Sequence, residues 1–80
     1  MSIVIHVNGE DLDLPDAVTV RDLVAERLGR DVGDDGRARD GTPLGVAVAI
    51  DDAVLPRSLW ARTPLATGTR YEFVTAVQGG

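Results

Sequence analysis

Ile3-Val4-Ile5-His6-Val7-Asn8-Gly9-Glu10-Asp11-Leu12-Asp13-Leu14-Pro15 decides the fold. The β-rich run over residues 3–7 meets Asn8-Gly9, a two-residue turn whose members both tolerate positive φ. Leu12 and Leu14 alternate with acidic residues in a second short strand. Pro15 then ends the ladder, because it has no N–H to give. The chain therefore opens with a tight β-hairpin.

Working outward, residues 19–28 read as a helix. Thr19 is placed to cap it, and Asp22 stands where a capping box wants its acceptor. Val18 is placed to staple onto Leu23 across the cap. Val20, Leu23, Val24 and Leu28 form one apolar stripe, with Arg21 and Arg27 off it. Gly29 stops the helix in the left-handed region. Residues 30–44 are acidic and Gly-rich with almost nothing to bury, which predicts a mobile surface loop. Gly45 to Ile50 is a third strand, with Val46, Val48 and Ile50 on one face and Ala47 and Ala49 on the other. Asp51-Asp52 turns into a short edge strand, Val54-Leu55, closed by Pro56. Ser58-Leu59-Trp60 reads as one helical turn and Thr67-Gly68 as another turn. Arg70 to Val77 forms the last strand, with Tyr71, Phe73 and Thr75 on one face. One helix crossing a small mixed sheet is the economical way to bury these faces. The expected class is thus α+β, a β-grasp domain spanning residues 1–80. Its first and last strands would be central parallel neighbours, and its C-terminal end would point outward.

Composition narrows the function. At 80 residues, a single domain buries only roughly 60% of its unfolded surface and seldom builds a deep catalytic cavity. The formal net charge is −5, with 13 acidic and 8 basic residues. Every basic residue is Arg; Lys is absent. Such a chain is a poor binder of nucleic acid or of an anionic membrane, but a basic groove on a partner protein would attract it. With no Cys, disulfides, thiolate nucleophiles and thiolate metal sites are excluded. No signal peptide and no apolar run of membrane-spanning length are read, so a cytoplasmic location is expected.

The chemistry points to the tail. Val74-Thr75-Ala76-Val77-Gln78-Gly79-Gly80 ends in Gly-Gly, the thinnest and most adaptable peptide end available. Such a flexible end would thread a narrow channel to a buried nucleotide. Adenylation by ATP on a partner would give the Gly80 carboxylate a leaving group. A sulfide equivalent could then displace AMP and leave a thiocarboxylate, a strong nucleophile. A chain without Cys must carry sulfur in some such way.

Several stretches resemble the ThiS family, the sulfur carriers of thiamine thiazole biosynthesis. They are Val7-Asn8-Gly9-Glu10, Thr19-Val20-Arg21-Asp22-Leu23, Gly45 to Ile50, Val54-Leu55-Pro56-Arg57-Ser58-Leu59-Trp60, Thr63-Pro64-Leu65, Gly68 and the Val74-to-Gly80 tail. The likeness covers residues 3–28 and 45–80; the 30–43 segment looks longer than the family's usual link. The resemblance implies a β-grasp fold and a non-catalytic role. It implies an adenylating enzyme, related to ubiquitin activators, that uses ATP and Mg²⁺ on Gly80. A sulfur donor such as a cysteine desulfurase and a thiazole synthase would complete the sequence. ATP belongs to the partner, so no cofactor is assigned to this chain.

Other residues weigh less. Counting from Asp31, an EF-hand would need oxygen ligands at Gly33 and Thr42, so Asp31, Asp34, Asp35 and Asp40 read as a solvated loop. His6 has no triad partner. Trp60 reads as a lid on the core, and Arg57, Arg62 and Arg70 as solvated charges. Val4, Ala47, Ala49 and Val74 are expected together on the sheet face away from the helix, a small apolar patch suited to partner docking, and Val77 is a further expected docking residue. Within the carrier class the rival is the small subunit of molybdopterin synthase. Outside it stand a ubiquitin-like modifier ligated to lysines and a plain interaction module. No nucleophile–base pair, metal set or phosphate loop argues for an enzyme.

Overall fold

The computed structural model describes residues 2–75. Along the chain it shows β1 (Ser2–Val7), β2 (Glu10–Pro15), α1 (Val20–Leu28), β3 (Val46–Ile50), β4 (Ala53–Leu55), a 3₁₀ helix (Arg57–Arg62) and β5 (Arg70–Thr75). The strands form one mixed sheet in the order β2-β1-β5-β3-β4. β1 and β5 are parallel neighbours at its centre, with His6 opposite Arg70 and Val7 opposite Tyr71. All other pairings are antiparallel.

The opening hairpin forms as read. Asn8 and Gly9 take φ of 50° and 83°, and Val7 pairs directly with Glu10. Positive φ at both turn positions matches the right-handed twist of the flanking strands. The Asp51-Asp52 turn has the same character, with φ of 48° and 72°, but carries two side chains in a region that suits glycine.

The capping box is complete at the start of α1. The Thr19 Oγ1 accepts from the Asp22 N–H, and the Asp22 carboxylate accepts from the Thr19 N–H. Gly29 closes the other end at φ 64°, its N–H donating back to Ala25 and Glu26 carbonyls. The helix start is tied to a distant segment: the Val20 N–H donates to the Thr63 carbonyl and the Leu65 N–H to that of Val18.

Period-two alternation sends Ile5, Val7, Val46, Val48 and Tyr71 into the core, where Val20, Leu23 and Val24 of α1 meet them. Trp60 is fully buried and donates from Nε1 to the Leu55 carbonyl. A buried indole finding a partner for its N–H is the expected arrangement, and it bears out the reading of Trp60 as a core lid. The Tyr71 hydroxyl accepts from the Ala66 N–H.

Residues 30–44 carry no helix or strand, but they do not lack material to bury. Val32, Ala38 and Leu44 are all buried in the core, which corrects the expectation drawn from composition. Val32 and Ala38 meet in an isolated antiparallel bridge. Gly36, at φ +78°, lies so close to Arg57 that an added Cβ would stand 2.3 Å from its carbonyl oxygen. Arg30 donates to the Pro43 carbonyl and to the Asp40 and Thr42 side chains.

Candidate functional site

Two features bear on function: the outer face of the sheet, and the way β5 is held as it runs toward the C-terminal segment. On β1 the residues alternating with buried Ile5 and Val7 are Val4 and His6; on β5 they are Arg70, Glu72 and Val74; on β3, Ala47 and Ala49. All point away from α1.

Register decides which of these meet. Val74 lies directly opposite Ala47, and Ala49 lies between Glu72 on one side and Val54 on the other. Val54 is 73% exposed and Val74 55% exposed. Val74, Ala47, Ala49 and Val54 thus make a contiguous apolar strip across β5, β3 and β4. Val54 was missed from sequence, because its face depends on the β3–β4 register. Val4 does not join them. Its carbonyl accepts from the Gly68 N–H, at the start of β5, whereas Val74 lies near its end. The run from Gly68 to Val74 spans about 20 Å at the rise of a strand. Val4 shares the face but not the patch. His6 Nδ1 on this face is hydrogen-bonded to Asp11 Oδ1 across the hairpin.

β5 is held by a side chain as well as by backbone. The Asn8 N–H donates to the Tyr71 carbonyl. One step further along, the Asn8 side chain takes over: Phe73 N–H donates to Asn8 Oδ1 at 2.8 Å, and Asn8 Nδ2 donates to the Phe73 carbonyl at 3.4 Å. A primary amide carries the same donor–acceptor pair as a peptide group. Asn8 therefore extends the β1–β5 ladder beyond the point where β1 turns away. Sequence reading found Asn8 as a turn residue; its second role needs the parallel register, which no local pattern contains.

Gln78, Gly79, Gly80 and Val77 lie outside the described residues. Among the described residues no group of three or more His, Asp or Glu is arranged to hold a metal ion. No helix is long and apolar enough to cross a membrane.

Asp22 is the best-defined electrostatic feature. The hydrogen bond from the Thr19 backbone is the main influence holding its pKa below the ordinary aspartate value, partly opposed by burial and aided by the Thr19 hydroxyl and by Arg21. Its role is structural, in the helix cap.

A mixed sheet of order β2-β1-β5-β3-β4, with parallel central strands from the two ends of the chain and one helix across it, defines a ubiquitin-like protein of the β-grasp type. The chain belongs to the ThiS family, whose family model matches residues 2–80. Members are small, generally non-catalytic sulfur carriers that work with partner enzymes. No curated protein matches the chain.

Proposed function

We propose that the chain carries sulfur as a thiocarboxylate on Gly80 and delivers it to a thiazole synthase in thiamine biosynthesis. The single observation that carries this is a family match running through to the Gly79-Gly80 pair. The absence of Cys supports it, because no side-chain thiol competes as the sulfur site.

A Gly80 carboxylate oxygen attacks the α-phosphorus of ATP on a ubiquitin-activator-like enzyme, and pyrophosphate leaves. The product is an acyl-adenylate. The terminal sulfur of a persulfide, carried by a donor such as a cysteine desulfurase, attacks the acyl carbon and AMP departs, which leaves an acyl disulfide. A thiol then attacks the donor-side sulfur, forming a new disulfide with it and releasing the thiocarboxylate. The chain's own contribution is a slender terminus, with Gln78 and Gly79 placing no branched side chain beside the reacting carbon. The strip of Val74, Ala47, Ala49 and Val54 is the proposed docking face, with Val77 a further proposed partner contact and Val4 a peripheral one.

The thiamine role is favoured over molybdopterin synthesis by the likeness of the Ser58-to-Leu65 stretch and the tail. Complementation tests this choice. The gene should restore growth without thiamine to a strain lacking its thiazole sulfur carrier, and should not restore molybdenum-enzyme activity to a strain lacking the molybdopterin synthase small subunit. The opposite pattern would reassign the pathway. Conjugates of this chain on lysines of other proteins would instead favour the modifier reading.

A further inference from the structure

Residues 30–44 and the start of the 3₁₀ helix enclose an open groove of about 510 Å³. Its lining includes Arg37, Arg39 and Arg57, with Asp35, Thr42 and Leu44. The convergence of three guanidinium groups has a simple origin. Ala38 bridges to Val32 and points into the core. Its two neighbours, Arg37 and Arg39, are both exposed, and both line the groove. The close approach of Gly36 to the Arg57 backbone brings the third arginine to the same place. Arg57 then lies with its Cζ 5.9 Å from the centre of the Trp60 ring.

These arginines differ from Arg21 and Arg30, which pair with Asp22, Asp34 and Asp40. Arg37, Arg39 and Arg57 make no ion pair among the described residues. Asp35 is the acidic member of the lining, and its Oδ1 is already engaged by the Arg37 backbone N–H. In a chain of net charge −5, the lining of this groove gathers three arginines against one aspartate.

The groove has a definite position. β5 ends at Thr75, opposite Val46. Leu44 lies two residues before Val46 along the chain, on the groove wall. β4 runs from Ala53, opposite Ile50, to Leu55, opposite Val48, and so delivers Arg57 toward that same end of the sheet. The groove stands at the end of the sheet where β5 finishes at Thr75.

We propose that the Arg37–Arg39–Arg57 groove docks an acidic segment of the protein that receives the tail. The occupant is a carboxylate-rich peptide for two reasons. The overall negative charge repels a nucleic-acid backbone. The three arginines are exposed and line one open groove, which admits a peptide bearing several carboxylates, each able to pair with a guanidinium. Opposite charges on a partner would steer encounter and set the orientation in which the tail enters. The location beside the tail rests on the carrier reading; the groove's preference for acidic peptide does not.

The test has two arms. First, hexaglutamate peptide is titrated into the ¹⁵N-labelled full chain at low salt. Shifts are expected at Arg37, Arg39 and Arg57 and to fade with added salt. The triple variant Arg37→Gln, Arg39→Gln, Arg57→Gln should bind about tenfold more weakly or worse, the sum of three exposed ion pairs of ordinary strength. The triple variant Arg27→Gln, Arg62→Gln, Arg70→Gln has the same net charge and should keep its affinity. Equal weakening in both variants, shifts spread over every arginine, or tighter binding of pyrophosphate or of a thymidine oligonucleotide would overturn the proposal. Second, with the adenylating enzyme, the groove variant should raise KM and leave kcat unchanged; an unchanged KM would overturn the placement at tail entry. If no enzyme adenylates the chain at all, the carrier reading fails while the peptide titration still stands.

Discussion

The Asn8 clamp yields the most informative perturbation. Its amide makes two hydrogen bonds to Phe73, one at 2.8 Å to the N–H and one at 3.4 Å to the carbonyl. The shorter bond carries most of the stabilisation, because hydrogen bonds weaken beyond the usual distance range. Asn8 also sits at φ 50°, where Asn is tolerated and Ala is strained by about 1 kcal/mol. Asn8→Gly removes the side chain and relaxes that strain. It isolates the clamp, and should cost about 1 kcal/mol, the ordinary net strength of one hydrogen bond. Asn8→Ala adds the strain and should cost about 2 kcal/mol. For a domain of this size that corresponds to a fall in Tm of roughly 8–16 °C. Asn8→Asp keeps the acceptor for the Phe73 N–H and should lose least. Amide hydrogen exchange reads the effect at its source: Phe73 should lose more protection in the Gly and Ala variants than Val48 in the core, whose loss is limited to the fall in global stability. Phe73 protection equal to that of the unsubstituted chain in Asn8→Gly would refute the clamp.

Gly36→Ala places a methyl carbon 2.3 Å from the Arg57 carbonyl oxygen at a positive φ, so it should cost about 2 kcal/mol or more. Gly41→Ala has a similar φ of +81° and open space around the new carbon, so it should cost about 1 kcal/mol; equal melting temperatures would refute the Arg57 contact. Asp22 has a folded-state pKa held below its ordinary value. Its contribution is therefore present above the unfolded pKa and lost as pH falls through the folded one. Asp22→Asn should flatten the acid limb of a stability–pH curve below about pH 4, and an unchanged limb would count against the capping box as its source. Val74→Asp should leave the fold intact, since the side chain is solvent-facing, yet raise the KM of adenylation severalfold by burying a charge at the docking face; unchanged KM would remove Val74 from that face.

Much of this architecture was legible because its signals are local. Asn8-Gly9, the Thr19–Asp22 pair and Gly29 each act within one turn of chain, and each forms as read. The alternation in Val46-Ala47-Val48 assigns faces without reference to any partner strand. Long-range register is another matter. Nothing local says that Gly68 rather than Val74 lies beside Val4, so an expected four-residue patch resolves into Val74, Ala47 and Ala49 with Val54, and Val4 apart. The 30–44 segment misled for a similar reason. Val32, Ala38 and Leu44 are isolated among charges and glycines and make no periodic pattern, so their burial and the contact of Gly36 with Arg57 show only in the tertiary structure. The proposed tail chemistry rests on composition and family likeness, and the described residues stop short of it.

The central claim is that sulfur is carried on the terminal carboxylate. Top-down mass spectrometry of the chain, taken from cells limited for thiamine, addresses it most directly. The account predicts an oxygen-to-sulfur mass increase that fragmentation confines to Gly80 and that Gly80→Ala largely abolishes. A chain that stays unmodified under that limitation, or whose sulfur maps to any other residue, would contradict it.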